Sequence, residues 1–213
     1  MADATLRFDL STAGPIASLL VPLDGSRLAE ATIPIARTIQ DRTGAGVTLL
    51  HVLEHDAPQS VHGDPHLTTE ADAIDYLMAV SERFSGQVEL HVHPNPEHDV
   101  AESIAAHAVE FRTDLILIAN HGRGGLRERI FGSIAQQVIR QGVAPVLLVP
   151  VPGPEVVAQP FACQTMGVLV NGTSEAETAL PAAATLARSL GAAIRLILAV
   201  PTPGTLPGDR AAA

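Results

Sequence analysis

The chain has 213 residues, 46% of them apolar, with five Phe, one Tyr, no Trp, a single cysteine and a formal net charge of −10 from 23 acidic against 13 basic residues. That balance argues against a nucleic-acid binder, because phosphates need a basic face and single strands need stacking rings, and the lone Cys163 excludes an internal disulfide or a multi-cysteine metal site. No apolar run approaches the roughly 18 residues of a membrane span, and the opening MADATLRFDLSTAG has no basic region followed by an apolar core, so the chain is expected to be soluble, off the membrane and cytoplasmic.

The first 150 residues alternate short β-branched runs with stretches of helical period, the pattern of a parallel sheet covered by helices on both faces. Strands are expected at IASLLVPL (16 to 23), GVTLLHVL (46 to 53), QVELHVH (87 to 93), DLILIA (114 to 119) and PVLLVP (145 to 150), each too short for a helix. Helices are expected near 26 to 43, 68 to 84, 97 to 112 and 132 to 142. Ser26 suits the N-cap of the first, and Pro34 should kink that helix or mark a second start. The polar loop EHDAPQSVHGDPHL (54 to 67) holds three histidines and either moves freely or lies over a ligand. In HVHPNPEH, His91 and His93 alternate and share a strand face, with His98 near. No carboxylate or cysteine spacing accompanies them, so solvent-facing histidines at a sheet edge compete with a metal site there.

After Pro150 the stretch VPGPEVVAQPFAC carries three prolines and reads as a linker over 151 to 163. Beyond it the sequence repeats. Sliding Val21 to Leu53 by 147 positions lays VPLDGSRLAEATIP over VLVNGTSEAETALP, with Gly25 on Gly172, Pro34 on Pro181 and Gly44 on Gly191. Residues 164 to 200 therefore look like a partial second copy, strand, helix and strand, with Asn171 in place of Asp24 and no copy of the later loops, so no nucleotide of its own is expected there. The tail PTPGTLPGDRAAA (201 to 213) is expected to be disordered.

Two connections leave strand ends with polar residues in place: PLDGS after the first strand and NHGRGGLRERIFGS after the fourth. In an open parallel sheet, ligands settle outside the carboxyl ends of strands whose connections run to opposite faces. The second connection ends in Gly132 and Ser133 where a helix begins. Unpaired N–H groups there bind phosphate oxygens if no side chain blocks approach. Arg123, Arg127 and Arg129 either add charge or face water. The loop is neither a Gly-Lys-Ser/Thr phosphate loop nor a G-x-G-x-x-G turn, and no G-x-S-x-G elbow supports serine catalysis.

With LLVPLDGS, LLHVLE, HGRGGL and APVLLVP, residues 16 to 150 resemble the universal stress protein family, whose phosphate loop runs Gly, two residues, Gly, nine residues, Gly, Ser or Thr. Gly122, the nine residues 123 to 131, Gly132 and Ser133 fit it. The family's first loop glycine falls on Ala119, which resists positive φ and adds a methyl group. The resemblance implies an α/β fold with an open five-stranded parallel sheet in the order 3-2-1-4-5, in a domain spanning 1 to 150. It also implies adenine nucleotide, ATP or else ADP or AMP, held with Mg2+. Pro22, Leu23 and Asp24 would line the adenosine end, Asp24 near ribose or the phosphate-bound metal, although Asp24 equally suits a simple turn. Val52 and Leu53 would pack on adenine, or else be ordinary core. Gly122, Arg123, Gly132, Ser133 and the backbone of Ile134 would hold phosphates. A homodimer pairing through the fifth strand is likewise implied. The reading is an ATP-binding regulator of the stress response; a slow ATPase and a nucleotide-free scaffold, the latter favoured by Ala119, stand as alternatives.

Overall fold

A computed structural model describes residues 14–61, 63–120, 133–151 and 161–199. They fall into two compact units, one beginning at Ile16 and the other containing the residues from Cys163 onward. The first unit runs β1 (Ser18–Pro22), a 3₁₀ turn (Ala29–Thr32), α1 (Ile33–Thr43), β2 (Gly46–Glu54), a small hairpin of β3 (Ser60–Val61) and β4 (Asp64–Pro65), α2 (Glu70–Ser81), β5 (Val88–Glu97), α3 (Val100–Glu110), β6 (Leu115–Asn120), α4 (Ser133–Gln141) and β7 (Val146–Pro150).

Five of these strands form one sheet in the order β5-β2-β1-β6-β7, every pair parallel. Counting sheet strands alone, that is the expected 3-2-1-4-5. The central strands read as continuous apolar runs because helices cover both faces: Leu19, Leu20, Val21, Leu49, Leu50, Ile116 and Leu117 are all fully buried.

Several elements differ in extent from their sequence reading, each for a local reason. Ser26 Oγ accepts from the Ala29 N–H at 3.2 Å, but it is not a helix N-cap: Leu28 precedes the 3₁₀ turn and Thr32 precedes α1, neither with a side-chain capping bond, because the chain turns tightly before α1 begins at Ile33. Pro34 sits in the first turn of α1, where its missing N–H has no partner to lose, so it marks a second start and not a kink. The third sheet strand continues past His93 to Glu97 through Pro94 and Pro96. Proline is tolerated there because β5 is an edge, and after a register shift Glu97 still pairs with Glu54. α3 then begins at Val100, capped by the Asp99 carboxylate, which accepts from the Glu102 N–H at 2.9 Å.

Two side chains tie the sheet to its surroundings. The Asp114 carboxylate, just before β6, accepts from the N–H groups of Ala17 and Ser18 at 2.8 and 3.0 Å, fixing where β6 enters beside β1. Buried Gln40, near the end of α1, donates to the Gln87 carbonyl at 2.9 Å and accepts from the Gly86 N–H at 3.1 Å, fixing where β5 enters beside β2.

The second unit holds β8 (Thr165–Val170), α5 (Ser174–Glu177), α6 (Ala179–Leu190) and β9 (Ala193–Leu198), with β8 and β9 parallel. Its local geometry repeats that of the first unit at the 147-residue offset. Gly172 takes φ +79° where Gly25 takes +86°, and Gly191 takes +65° where Gly44 takes +73°. Thr173 Oγ1 accepts from the Ala176 N–H at 3.3 Å, as Ser26 Oγ does from Ala29. α6 buries Leu180, Ala184, Ala187 and Leu190, while Leu169, Leu196, Ile197 and Leu198 of the strands are exposed.

Gln40→Ala should destabilise the first unit by about 1–3 kcal/mol, because the Gly86 N–H loses its side-chain partner and the Gln87 carbonyl, which also accepts from Val47, loses one of its donors. Urea unfolding of the variant against the parent measures this, and equal midpoints would show that the amide does not hold β5 in place.

Candidate functional site

The sheet opens at one place. β1 pairs with β2 along all five of its residues, and β6 pairs with β7 from Ile116 to Asn120. The ladder between β1 and β6, however, contains only Leu19 with Leu115 and Leu20 with Ile116. Beyond those pairs no further β1–β6 pairing is found among the described residues, each strand being held by its outer neighbour, and their carboxyl ends lie at the switch point of the sheet, where folds of this kind have a ligand crevice.

On the β1 side the crevice is bounded by a tight turn. Leu23 is buried, and its N–H donates to the Leu50 carbonyl at 2.8 Å. The half-buried Asp24 accepts from the Ser26 N–H at 2.9 Å through Oδ1, an Asx turn that aims the segment back toward the 3₁₀ turn. Gly25 must be glycine on two counts. Its φ of +86° is left-handed, and a Cβ there would meet Leu67 Cγ and Cδ1 at 2.8 Å.

Leu67 belongs to the loop whose role the sequence left open. That loop folds over the turn and is pinned by Asp64, which accepts from the Arg27 main chain at 3.0 Å and from its Nε at 3.2 Å. Beneath the turn lies His51, almost wholly buried, its Nδ1–H donating to the Leu23 carbonyl at 2.8 Å. Burial holds the His51 imidazole below its ordinary pKa and neighbouring His66 adds to this, outweighing the opposing pull of the Leu23 and Leu67 main chain and of Asp24. A neutral ring thus braces the turn from behind. His51 was not among the residues singled out from sequence, since inside the apolar run GVTLLHVLE nothing distinguishes it from a strand residue facing water.

Pro22 ends β1 opposite Leu50, half-buried. Val52 and Leu53 lie just before Glu54, the last residue of β2, and both are buried. Val52 belongs to the core cluster with Leu20, Leu50, Ile104, Ile116 and Ile118, so ordinary packing accounts for its side chain. Leu53 points to the other face by alternation.

On the β6 side, Ala119 is buried and paired with Val149 inside the strand, with no positive φ. The conformational objection to alanine at this position therefore does not arise, and only its methyl group distinguishes it from glycine. Ser133 and Ile134 open α4, both exposed, while Ala135 and Val138 of the same helix anchor it in the core. Gly122, Arg123 and Gly132 lie outside the described residues.

The histidines of HVHPNPEH separate. His98 stacks on His55 with ring centroids 4.1 Å apart, whereas His91 and His93 meet His107 of α3. No sequence spacing joins His107 to them; only the packing of α3 beside β5 does.

A family model described as the Universal stress protein family matches residues 16–150. Among solved structures the chain is similar to a universal stress protein from Archaeoglobus fulgidus DSM 4304, at 17% identity over 88% of this chain and 68% of that one, with a TM-score of 0.66. It is similar to a functionally unknown protein from Pseudomonas aeruginosa PAO1, at 17% identity over 86% of this chain and 60% of that one, TM-score 0.58. It is also similar to a universal stress protein in complex with cAMP, at 18% identity over 64% of this chain and 98% of that one, TM-score 0.49. No curated protein matches the sequence. Among the described residues no helix is long and apolar enough to cross a membrane.

Because His51 is held neutral in the fold, it contributes stability that is complete above about pH 6.5 and declines as the pH falls toward its folded-state pKa. His51→Asn retains an N–H for the Leu23 carbonyl and should flatten the decline by up to about 1.4 kcal/mol per pH unit. Thermal unfolding from pH 7 to 5 measures it; an identical slope in parent and variant would contradict the buried neutral ring.

Proposed function

The chain belongs to the universal stress protein family, and we propose that its first unit binds an adenine nucleotide, ATP or else ADP or AMP, in the crevice between β1 and β6. The observation that carries this reading is the early end of the β1–β6 ladder, which leaves the carboxyl ends of the two central strands unpaired with each other. Pro22, Leu23 and Leu53 offer apolar surface for the base and sugar. Asp24 presents a carboxylate suited to a ribose hydroxyl, or to Mg2+ carried in on the phosphates; a hard cation of that kind seeks oxygen donors. Ser133 would supply a hydroxyl and α4, which begins at Ser133, an N-terminus whose main-chain N–H groups suit phosphate oxygens. Gly122, Arg123, Gly132 and the Ile134 main chain complete the phosphate end by the family motif.

Binding, not turnover, is the function in this reading. A nucleotide spanning both connections would tie together strand ends that otherwise make no ladder, and the occupied and empty forms would then present different surfaces to a partner, as a regulator of the stress response requires. Ala119 gives the nucleotide-free scaffold reading its one point of support, the added methyl group, and that group is buried beside β7 with no strain of its own.

Calorimetric titration of protein stripped of bound ligand should give single-site heat with at least one of ATP, ADP and AMP in the presence of Mg2+. Gly132→Leu should abolish it, and Asp24→Ala should weaken it by about tenfold or more, the scale of a lost charged hydrogen bond. Absence of heat with all three nucleotides would favour the scaffold.

The outer edge of β7 is the proposed dimer surface, since β7 pairs with β6 on one side and ends the sheet on the other. Light scattering should return twice the chain mass at micromolar concentration. A value equal to one chain over the whole accessible range would remove the dimer from this account.

A further inference from the structure

Three histidines that the nucleotide reading leaves unused converge at the far edge of the sheet, with β2 between them and β1. His91 and His93 are alternate residues of β5, paired with Leu50 and Val52, and so project to one face. His107 of α3 packs on that face. Ring centroids lie 4.7 Å apart for His91 and His107 and 5.1 Å for His93 and His107. One ring nitrogen from each of the three lies within 4.8 Å of the others.

The surroundings are those of a built site. His107 is buried, and its Nδ1–H donates to the Ser103 carbonyl one turn back at 2.7 Å, which leaves the Nε2 lone pair for another partner. His93 Nε2 lies 2.9 Å from the Glu97 carboxylate, which places a negative charge beside the group. A carbonyl on one imidazole and a carboxylate on another are the outer partners that metal-bound histidines usually have. Phe111 closes the group from the side, its ring 5.1 Å from His91 and 5.5 Å from His107.

We propose that His91, His93 and His107 bind one divalent transition-metal ion of the class that imidazole favours, zinc foremost, with Glu97 supplying the adjacent carboxylate. Tetrahedral zinc at about 2.0–2.1 Å from each nitrogen needs those nitrogens about 3.3 Å apart. Small rotations of the half-buried His91 and His93 toward the fixed His107 supply the remaining closure. The exposed group of His55, Asp56 and His98 offers the same ligand types. Among the described residues, its rings have no carbonyl or carboxylate outer partner beyond the His55 to Asp56 contact at 3.3 Å, so the buried group is the site.

The test uses the full chain, free of any affinity tag and stripped by a chelator, titrated with Zn2+ against a chromophoric competitor and with Co2+ by visible absorption. One equivalent should bind, Co2+ giving the intense bands of a tetrahedral site. His91→Gln/His93→Gln should lower zinc affinity at least a hundredfold, Glu97→Gln about tenfold, and His55→Ala/His98→Ala should leave it within threefold. Zinc should raise the thermal midpoint of the parent and not that of the His91→Gln/His93→Gln variant, whose far-ultraviolet circular dichroism reports whether it folds. No binding by the parent would overturn the proposal. So would affinity retained in the folded His91→Gln/His93→Gln variant, or lost in His55→Ala/His98→Ala.

Discussion

Everything at the end of this domain where a nucleotide site is proposed depends on how short the pairing between β1 and β6 is. A parallel sheet covered on both faces leaves little room along its middle for polar groups without a buried partner, and β1 accordingly buries Leu19, Leu20 and Val21. Polar chemistry can enter only at strand ends. Because β1 and β6 share two residue pairs and then follow different neighbours, the ends of both central strands lie at the switch point of the sheet, where ligands settle in folds of this kind. Asp114 helps set this arrangement by fixing the start of β6 against Ala17 and Ser18, so that the strands are in register where they enter and diverge where they leave.

The turn at 22 to 26 shows how tightly the site side of the fold is determined. Asp24 bonds to Ser26, Ser26 to Ala29, and His51 to Leu23, while the loop carrying Asp64 and Leu67 closes over Gly25. An overall charge of −10 gives such a protein no general attraction for anions. In the proposed site, attraction for phosphate must come from local groups: the N-terminus of α4, the Ser133 hydroxyl and the loop arginine. Two of the turn's hydrogen bonds and its left-handed glycine recur in the second unit, with Asn171 Oδ1 accepting from the Thr173 N–H at 3.0 Å, so this turn is a property of the strand-to-helix connection itself. What the first unit adds is the carboxylate of Asp24 in place of the Asn171 amide.

The sheet was largely legible in the sequence because its strands are uniform apolar runs bounded by Gly, Asp and Pro, and because the strand order follows from the family that LLVPLDGS and HGRGGL identify. What escaped depended on partners distant in sequence. Nothing local says that Asp64 will hold Arg27 or that Leu67 will fill the space over Gly25, so the loop from 54 to 67 could be read equally as free or as a cover. The extension of β5 through Pro94 and Pro96 contradicts local propensity and is permitted by its edge position alone. His51 looked like one more strand residue, and His107 like one more polar residue of a helix, until packing placed the first under Leu23 and the second against His91 and His93. Val52 shows the converse: the sequence allowed it a role at a base, and its place among Leu20, Leu50 and Ile116 accounts for it as core.

The central claim is that the divergence of β1 and β6 makes the ligand site. The most direct measurement is an amide chemical-shift map of the isotope-labelled full chain as ADP with Mg2+ is added. The account predicts saturable shifts at Leu23, Asp24, Gly25 and Ser26 together with Ser133 and Ile134, two segments far apart in sequence that respond with one dissociation constant, and none in β8 or β9. Shifts confined to one of the two segments, or centred on the second unit, would contradict it.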